Sequence, residues 1–377
     1  MGNQRQFPDV HWIWKGAISF VYEVHPRIVV KVPRPGEFER EQFDKELKIY
    51  EIFSQHPPCP SIVECFYYTD KGIFLEYMRD VSLSYRMQSN QLRDLQTDAL
   101  IKVEKLEPLP LRKVWMNDLA QAVAFLESLK LAHGDLRPDN ILIEATGLNS
   151  QSGTEFEACI PPYGRVLNNS ESDQGPCGGA GSLGPRTEQF ALGSLYYLIN
   201  YGFEVYGDRC LTPDNPKEHG PKVVRLLQNM EFPTLHHDPV IDDIIDKCWR
   251  NKYATVAELA AHTERLLANG TNGERTNTET TSNDGWRSVI SCVLDGLWWS
   301  LGDWWEYLRR GGSKESTNRA GSKDDRRDSP DHDLLPKGFS SQKAFCEDLV
   351  KLGLLDLLSS GEPEHLGFSF DWYRHRH

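Results

Sequence analysis

The sequence contains no Cys-x-x-Cys pair, and its 8 cysteines stand singly along the chain. That density does not staple a fold, so a reducing compartment is expected. Long uncharged apolar runs are also missing. The nearest approach, Val289 to Leu308, carries Asp295, Asp303 and Glu306, whose burial at a bilayer centre would be costly, so no membrane span is expected. Positive charge is in deficit, with 42 Lys and Arg against 55 Asp and Glu and a net charge of −13. Such a balance argues against a protein that neutralises many phosphates along a nucleic acid, and no nucleic-acid partner is expected. No basic-then-apolar leader opens the sequence, and Gln6 stands where a myristoylation signal prefers Ser or Thr. The expectation is a soluble intracellular chain, cytoplasmic or nuclear. What is present points to a packed core: 39% of the 377 residues are hydrophobic and 11% aromatic, including 10 Trp.

Patterning divides the chain into six parts. Residues 1–78 read as a small sheet-based lobe: Ile28 to Val32 is a β-branched strand, Glu37 to Phe53 a charged helix, and Gly72 to Met78 another apolar strand. Residues 79–268 read as a larger helical lobe. There Trp115, Leu119, Ala122, Val123, Leu126 and Leu129 recur at three- and four-residue steps, and further helices are expected at Thr187–Asn200, Val223–Asn229, Pro239–Trp249 and Ala254–Leu267. Residues 269–288 and 311–338, poor in large apolar side chains, read as linkers. Between them, 289–310 reads as an amphipathic helix with the pairs Trp298-Trp299 and Trp304-Trp305, fit to dock on the core or on a partner. Residues 339–377 read as a helical extension, with a second amphipathic stretch from Phe345 to Ser359.

The string with most chemical content is His133-Gly134-Asp135-Leu136-Arg137-Pro138-Asp139-Asn140, followed by the apolar Ile141-Leu142-Ile143. An acid and an amide five positions apart beside a cation suit phosphoryl transfer. The carboxylate orients a hydroxyl, the amide holds a metal ion, and the cation faces the transferring phosphate. This string resembles the catalytic loop of the protein kinase superfamily, H-R-D-x-K-P-x-x-N in its serine/threonine branch. The resemblance covers about residues 10 to 268. Lys31 is similar to the strand lysine that contacts the ATP phosphates, with Glu46 as its helix partner in preference to Glu41. Phe74-Leu75-Glu76-Tyr77-Met78 resembles the hinge strand, which implies backbone groups of Glu76 and Met78 against an adenine. Glu188-Gln189-Phe190-Ala191-Leu192-Gly193 resembles the D-x-W-S-x-G start of the family's central helix, and Cys248-Trp249 the Cys-Trp near the end of its large lobe.

The resemblance implies a two-lobed α+β fold, with a β-rich small lobe, a helical large lobe and here a helical C-terminal extension. It implies ATP and Mg²⁺ as cofactors, and a protein substrate whose Ser or Thr hydroxyl takes the γ-phosphate. Asp135 would be the base, Arg137 the phosphate contact and Asn140 the metal ligand. Three departures bear on activity. Of the family's glycine-rich loop only Gly16 survives, with Ile18 and Val21 in place of the other glycines, which limits close approach to phosphate. Gly134 replaces the arginine that pairs with a phosphorylated activation segment. No Asp-Phe-Gly follows Ile143, leaving Glu144, Glu155 and Glu157 as the nearest substitute carboxylates. Either the chain is a pseudokinase acting as an interaction scaffold, or a short internal stretch is missing from this sequence. His-Gly-Asp-Leu followed by an asparagine is also similar to the loop of aminoglycoside and choline phosphotransferases, so a small-molecule kinase is a further alternative.

Overall fold

The computed structural model describes residues 6–78, 82–94, 99–144, 147–149, 161–165, 184–271, 288–290 and 339–371. Its small lobe is built on β1 (His11–Lys15), β2 (Ser19–His25), β3 (Ile28–Pro33), β4 (Cys65–Thr69) and β5 (Gly72–Glu76), an antiparallel sheet in the order β1-β2-β3-β5-β4. The β-branched run makes β3 a central strand, and side-chain alternation divides its residues between two faces. Val29 joins one buried cluster with Phe43 and Tyr50 of α1 (Glu37–Phe53), while Ile28, Val30 and Val32 join another on the opposite face. Helix α1 spans the expected residues, and its buried positions 42, 43, 46, 49 and 50 keep the three- and four-residue spacing of a single face. β5 stops at Glu76, two residues short of the expected end, and the Tyr77 N–H donates to the Arg27 carbonyl at 3.0 Å, one step further along the β3–β5 register.

A short helix α2 (Leu83–Ser89) and a hairpin of β6 (Gln91–Arg93) with β7 (Leu100–Val103) lead into the large lobe. There α3 (Leu109–Ser128) buries the face read from its sequence, including Trp115, Leu119, Ala122, Val123 and Leu126. After the catalytic string, β8 (Ile141–Glu144) pairs with β9 (Gly147–Asn149). The lobe continues with α4 (Pro185–Tyr201), α5 (His219–Gln228), α6 (Pro239–Trp249) and α7 (Val256–Thr271). Helix α4 is buried on all sides, and Gly193 explains how closely it approaches α6. A β-carbon there would lie 2.8 Å from Trp249 Cδ1 and 2.9 Å from Cys248 Cβ, so only glycine permits that contact. The two stretches that resemble family motifs around Gly193 and Cys248-Trp249 therefore touch one another.

The expected Trp-rich helix lies outside the described residues, except that 289 and 290 belong to β10 (Ser288–Ile290), which pairs with β8 and β9. The expected amphipathic stretch near the C-terminus is two helices rather than one. α8 (Gln342–Lys351), capped by the Ser341 hydroxyl, ends where Gly353 takes a left-handed φ of 85°, and α9 (Leu354–Leu358) begins after it. Glycine reaches that conformation at little steric cost, and residues of both helices share one buried cluster with the small-lobe sheet.

Candidate active site

Lys31 and Glu46 come together from β3 and α1. The lysine Nζ donates to Glu46 Oε1 at 2.7 Å and to Oε2 at 2.9 Å, with the two side chains 3% and 1% exposed. A charge so buried is tolerated only when paired, which makes the bidentate geometry a condition of the fold as well as of any clamp. Glu41, the competing candidate, pairs with Lys45 one turn along α1 at the surface. Leu75 and Met78 are buried in the cluster that Val29 shares with Phe43 and Tyr50. The Glu76 N–H donates to the Glu64 carbonyl at 2.9 Å.

The catalytic string forms an irregular loop closed by a single 3-10 turn at Pro138–Asn140. Asn140 Nδ2 donates to the Asp135 carbonyl at 2.9 Å and to Asp135 Oδ2 at 2.8 Å, and Arg137 Nε approaches the same Oδ2 at 3.3 Å. One carboxylate oxygen is thus approached from two sides. Burial pushes the Asp135 carboxyl up to about 6, against the pull of Arg137 and Asn140. A carboxylate so poised is a stronger base than an ordinary surface aspartate and still ionised at neutral pH.

His133 is buried inside the loop. Burial, helped by the Arg137 charge, drives its ring down to about 3, and its Nδ1 accepts the Asp135 N–H at 3.1 Å, so it shapes the loop as a neutral imidazole. Gly134, where the family carries arginine, has φ of 80°. A side chain at that position would be strained, which gives a local reason for the glycine. The Gly134 and His133 N–H groups donate to Glu188 at 3.2 and 3.0 Å, tying the loop to the first turns of α4. Burial raises the Glu188 carboxyl to about 7, partly offset by those two bonds. Segment 161–165 rests on the same helix: Ser194 Oγ donates to the Pro162 carbonyl at 2.7 Å, and the Arg165 guanidinium stacks over Phe190.

The turn between β1 and β2 holds a residue that sequence reasoning missed. Gly16 sits in a three-residue connection, and its N–H is spent on the Ser19 carbonyl at 2.9 Å. Arg34 closes the turn from β3, with its N–H on the Ile18 carbonyl at 2.8 Å and Nη1 on the carbonyls of Ala17 at 2.7 Å and Gly16 at 3.3 Å. Ile18 is buried in the hairpin. The replacement of two loop glycines was the one available signal; the arginine that braces the turn matches no motif.

A divalent cation is a separate question. Asn140 offers one neutral oxygen near Asp135, whereas Mg²⁺ is usually held by one or two carboxylates together with substrate phosphates. Among the described residues no group of three or more His, Cys, Asp or Glu side chains could hold a metal, and the side chains of Glu144, Glu155 and Glu157 lie outside them. The described residues alone therefore do not fit the ion.

A small antiparallel lobe thus carries a buried Lys–Glu pair, and a helical lobe carries a loop that holds Asp and Asn against each other. The family model for protein tyrosine and serine/threonine kinase matches residues 11–151, from β1 to just beyond the catalytic loop. Over those residues the chain is similar to the protein kinases, whose members generally use ATP with Mg²⁺. A search of curated proteins finds no match to it. Among the described residues no helix is long and apolar enough to cross a membrane.

Proposed function

We propose that this domain binds ATP in the cleft between its lobes and transfers the γ-phosphate to a Ser or Thr hydroxyl of a protein. The observation that carries the reading is joint assembly: the Lys31–Glu46 pair is closed at 2.7 Å while Asp135 and Asn140 are locked at 2.8 Å. In this reading the Lys31 ammonium binds phosphate oxygens, held in place by Glu46, and Glu76 and Met78 border the adenine. Asp135 Oδ1 accepts the hydroxyl proton as the oxygen attacks phosphorus. The Arg137 guanidinium, 19% exposed beside that carboxylate, faces the charge of the transferring group. Arginine or lysine at this position of the loop accompanies Ser/Thr rather than Tyr acceptors in the resemblance described above. Gly16, its N–H already engaged, supports the nucleotide only through the turn it closes. The test is phosphate incorporation into a protein panel by the full chain and by Asp135→Asn. Incorporation on Ser or Thr that vanishes in the variant, with ATP binding retained, supports the reading; equal incorporation by both proteins refutes the assignment of the base.

A second reading is favoured by one observation, the absence of Asp-Phe-Gly after Ile143. A domain with the clamp but without the second metal-binding residue would bind nucleotide and hold a partner protein without transferring phosphate. ATP affinity indifferent to Mg²⁺, together with no incorporation on any protein, would select it.

A further inference from the structure

The outer face of the small-lobe sheet, opposite Lys31, is covered by the chain's own C-terminal segment. Phe345 and Cys346 of α8, Leu354, Leu355 and Leu358 of α9, and Phe368 beyond them share one buried cluster with Trp12, Phe20, Tyr22, Val30 and Val32. The segment also completes an edge. Phe370 bridges Trp12 in parallel register, the Asp371 N–H donates to the Trp12 carbonyl at 2.9 Å, and His11 Nδ1 meets Asp371 Oδ2 at 3.1 Å. Strand β1 would otherwise present its unpaired backbone groups to solvent. A salt bridge between Lys71 and Asp356 pins α9 to the β4–β5 turn.

One contact connects this cover to the nucleotide clamp. Leu355 presses on Gly72 so closely that a β-carbon there would lie 2.6 Å from Leu355 Cδ2 and 3.3 Å from the Lys31 carbonyl. The backbone of the clamp lysine is therefore backed, through Gly72, by a residue from the far end of the chain. Val30 and Val32, its neighbours on β3, are both fully buried against the same segment. At the other end, Phe370 packs on Trp12 of β1 and Phe368 on Tyr22 of β2, and the turn between these strands is the one braced by Arg34.

We infer that residues 339–371 are an internal positioning segment that sets the clamp: seated on the sheet, it holds β1 and β3 so that Lys31 meets Glu46, and its displacement opens the pair. The inference rests on the reading of Lys31 and Glu46 as the nucleotide clamp. Leu355 and Phe370 are positioning residues, since neither touches the cleft. If a variant holds the paired state only about one-tenth of the time, apparent ATP affinity falls about tenfold, because only the competent fraction binds.

The test uses the full chain, Leu355→Ala, the milder Phe370→Ala and the conservative Leu355→Met. Two readouts are taken on each: the rate at which an amine-acylating reagent modifies Lys31 without nucleotide, followed by mass spectrometry, and the ATP dissociation constant. Amide exchange in α3, α4 and α6 reports whether the large lobe remains folded. The expected result is faster Lys31 acylation and weaker ATP binding in both alanine variants, larger for Leu355→Ala, with large-lobe exchange unchanged and Leu355→Met close to the parent. Lys31 protected equally in all four proteins overturns the inference. Absence of ATP binding in the parent chain would count against the nucleotide reading alone, and the acylation rates would still decide this one.

Discussion

Replacing Asp135 by Asn should abolish phosphate transfer and at the same time make the protein more stable. The carboxyl rises from an ordinary value of 3.8 to about 6 because burial opposes its charge more strongly than Arg137 and Asn140 support it. A folded-state value above the unfolded one means the native protein binds more protons than the unfolded chain between those limits. Stability from this group is therefore fully present at low pH and declines as pH rises through that window. Each pK unit is worth about 1.4 kcal/mol, so the ionised side chain costs the fold about 3 kcal/mol well above pH 6. An asparagine of the same shape removes the charge and keeps an oxygen for the Asn140 amide, though it gives up the Arg137 contact. The expected gain is about 1–3 kcal/mol at pH 8, shrinking to near zero at about pH 4. Urea titrations of both proteins at the two pH values measure it directly. A variant less stable than the parent at pH 8, by the same amount at both pH values, would refute the argument that burial dominates this carboxylate.

The same burial sets the acid limb of activity. Phosphate transfer should fall as pH drops through about 6, and Asp139→Asn, which removes a nearby negative charge, should move that limb downward in a kcat/KM profile. Lys31→Met strands a buried carboxylate and should cost about 3–5 kcal/mol, whereas Lys31→Met with Glu46→Leu should recover much of it, as a double-mutant cycle by chemical denaturation would show. Gly193→Ala forces a methyl group against Trp249 and Cys248 and should cost about 1–3 kcal/mol in the same assay, with little change in the clamp.

Local signals in the sequence were strongest where one element carries its own pattern. Helix α1, helix α6 and the buried stripe of α3 follow from hydrophobic spacing, and the catalytic string names Asp135 and Asn140 because a short loop fixes both. Glu46 could be preferred over Glu41 only by resemblance, since both lie on one helix; the structure separates them by which side of α1 faces β3. The Gly193 stretch and Cys248-Trp249 could be read singly, but their contact required the packing of α4 on α6. Two features had no local signal. Arg34 acts through the carbonyls of a turn some 17 residues earlier in the chain, and backbone acceptors leave no trace in side-chain patterning. The seating of residues 339–371 on β1 and β3 is a contact between the two ends of the chain. Amphipathicity shows that such a helix needs an apolar partner, and only the apolar outer face of the small-lobe sheet identifies it.

The most direct test of the account is the affinity of the full chain for ATP, compared with that of Glu46→Gln, by calorimetry. Saturable binding in the parent, weakened about tenfold or more when the lysine loses its charged partner, is the predicted result. Binding that is absent from the parent, or identical in both proteins, would contradict the claim that Lys31 and Glu46 form a nucleotide clamp.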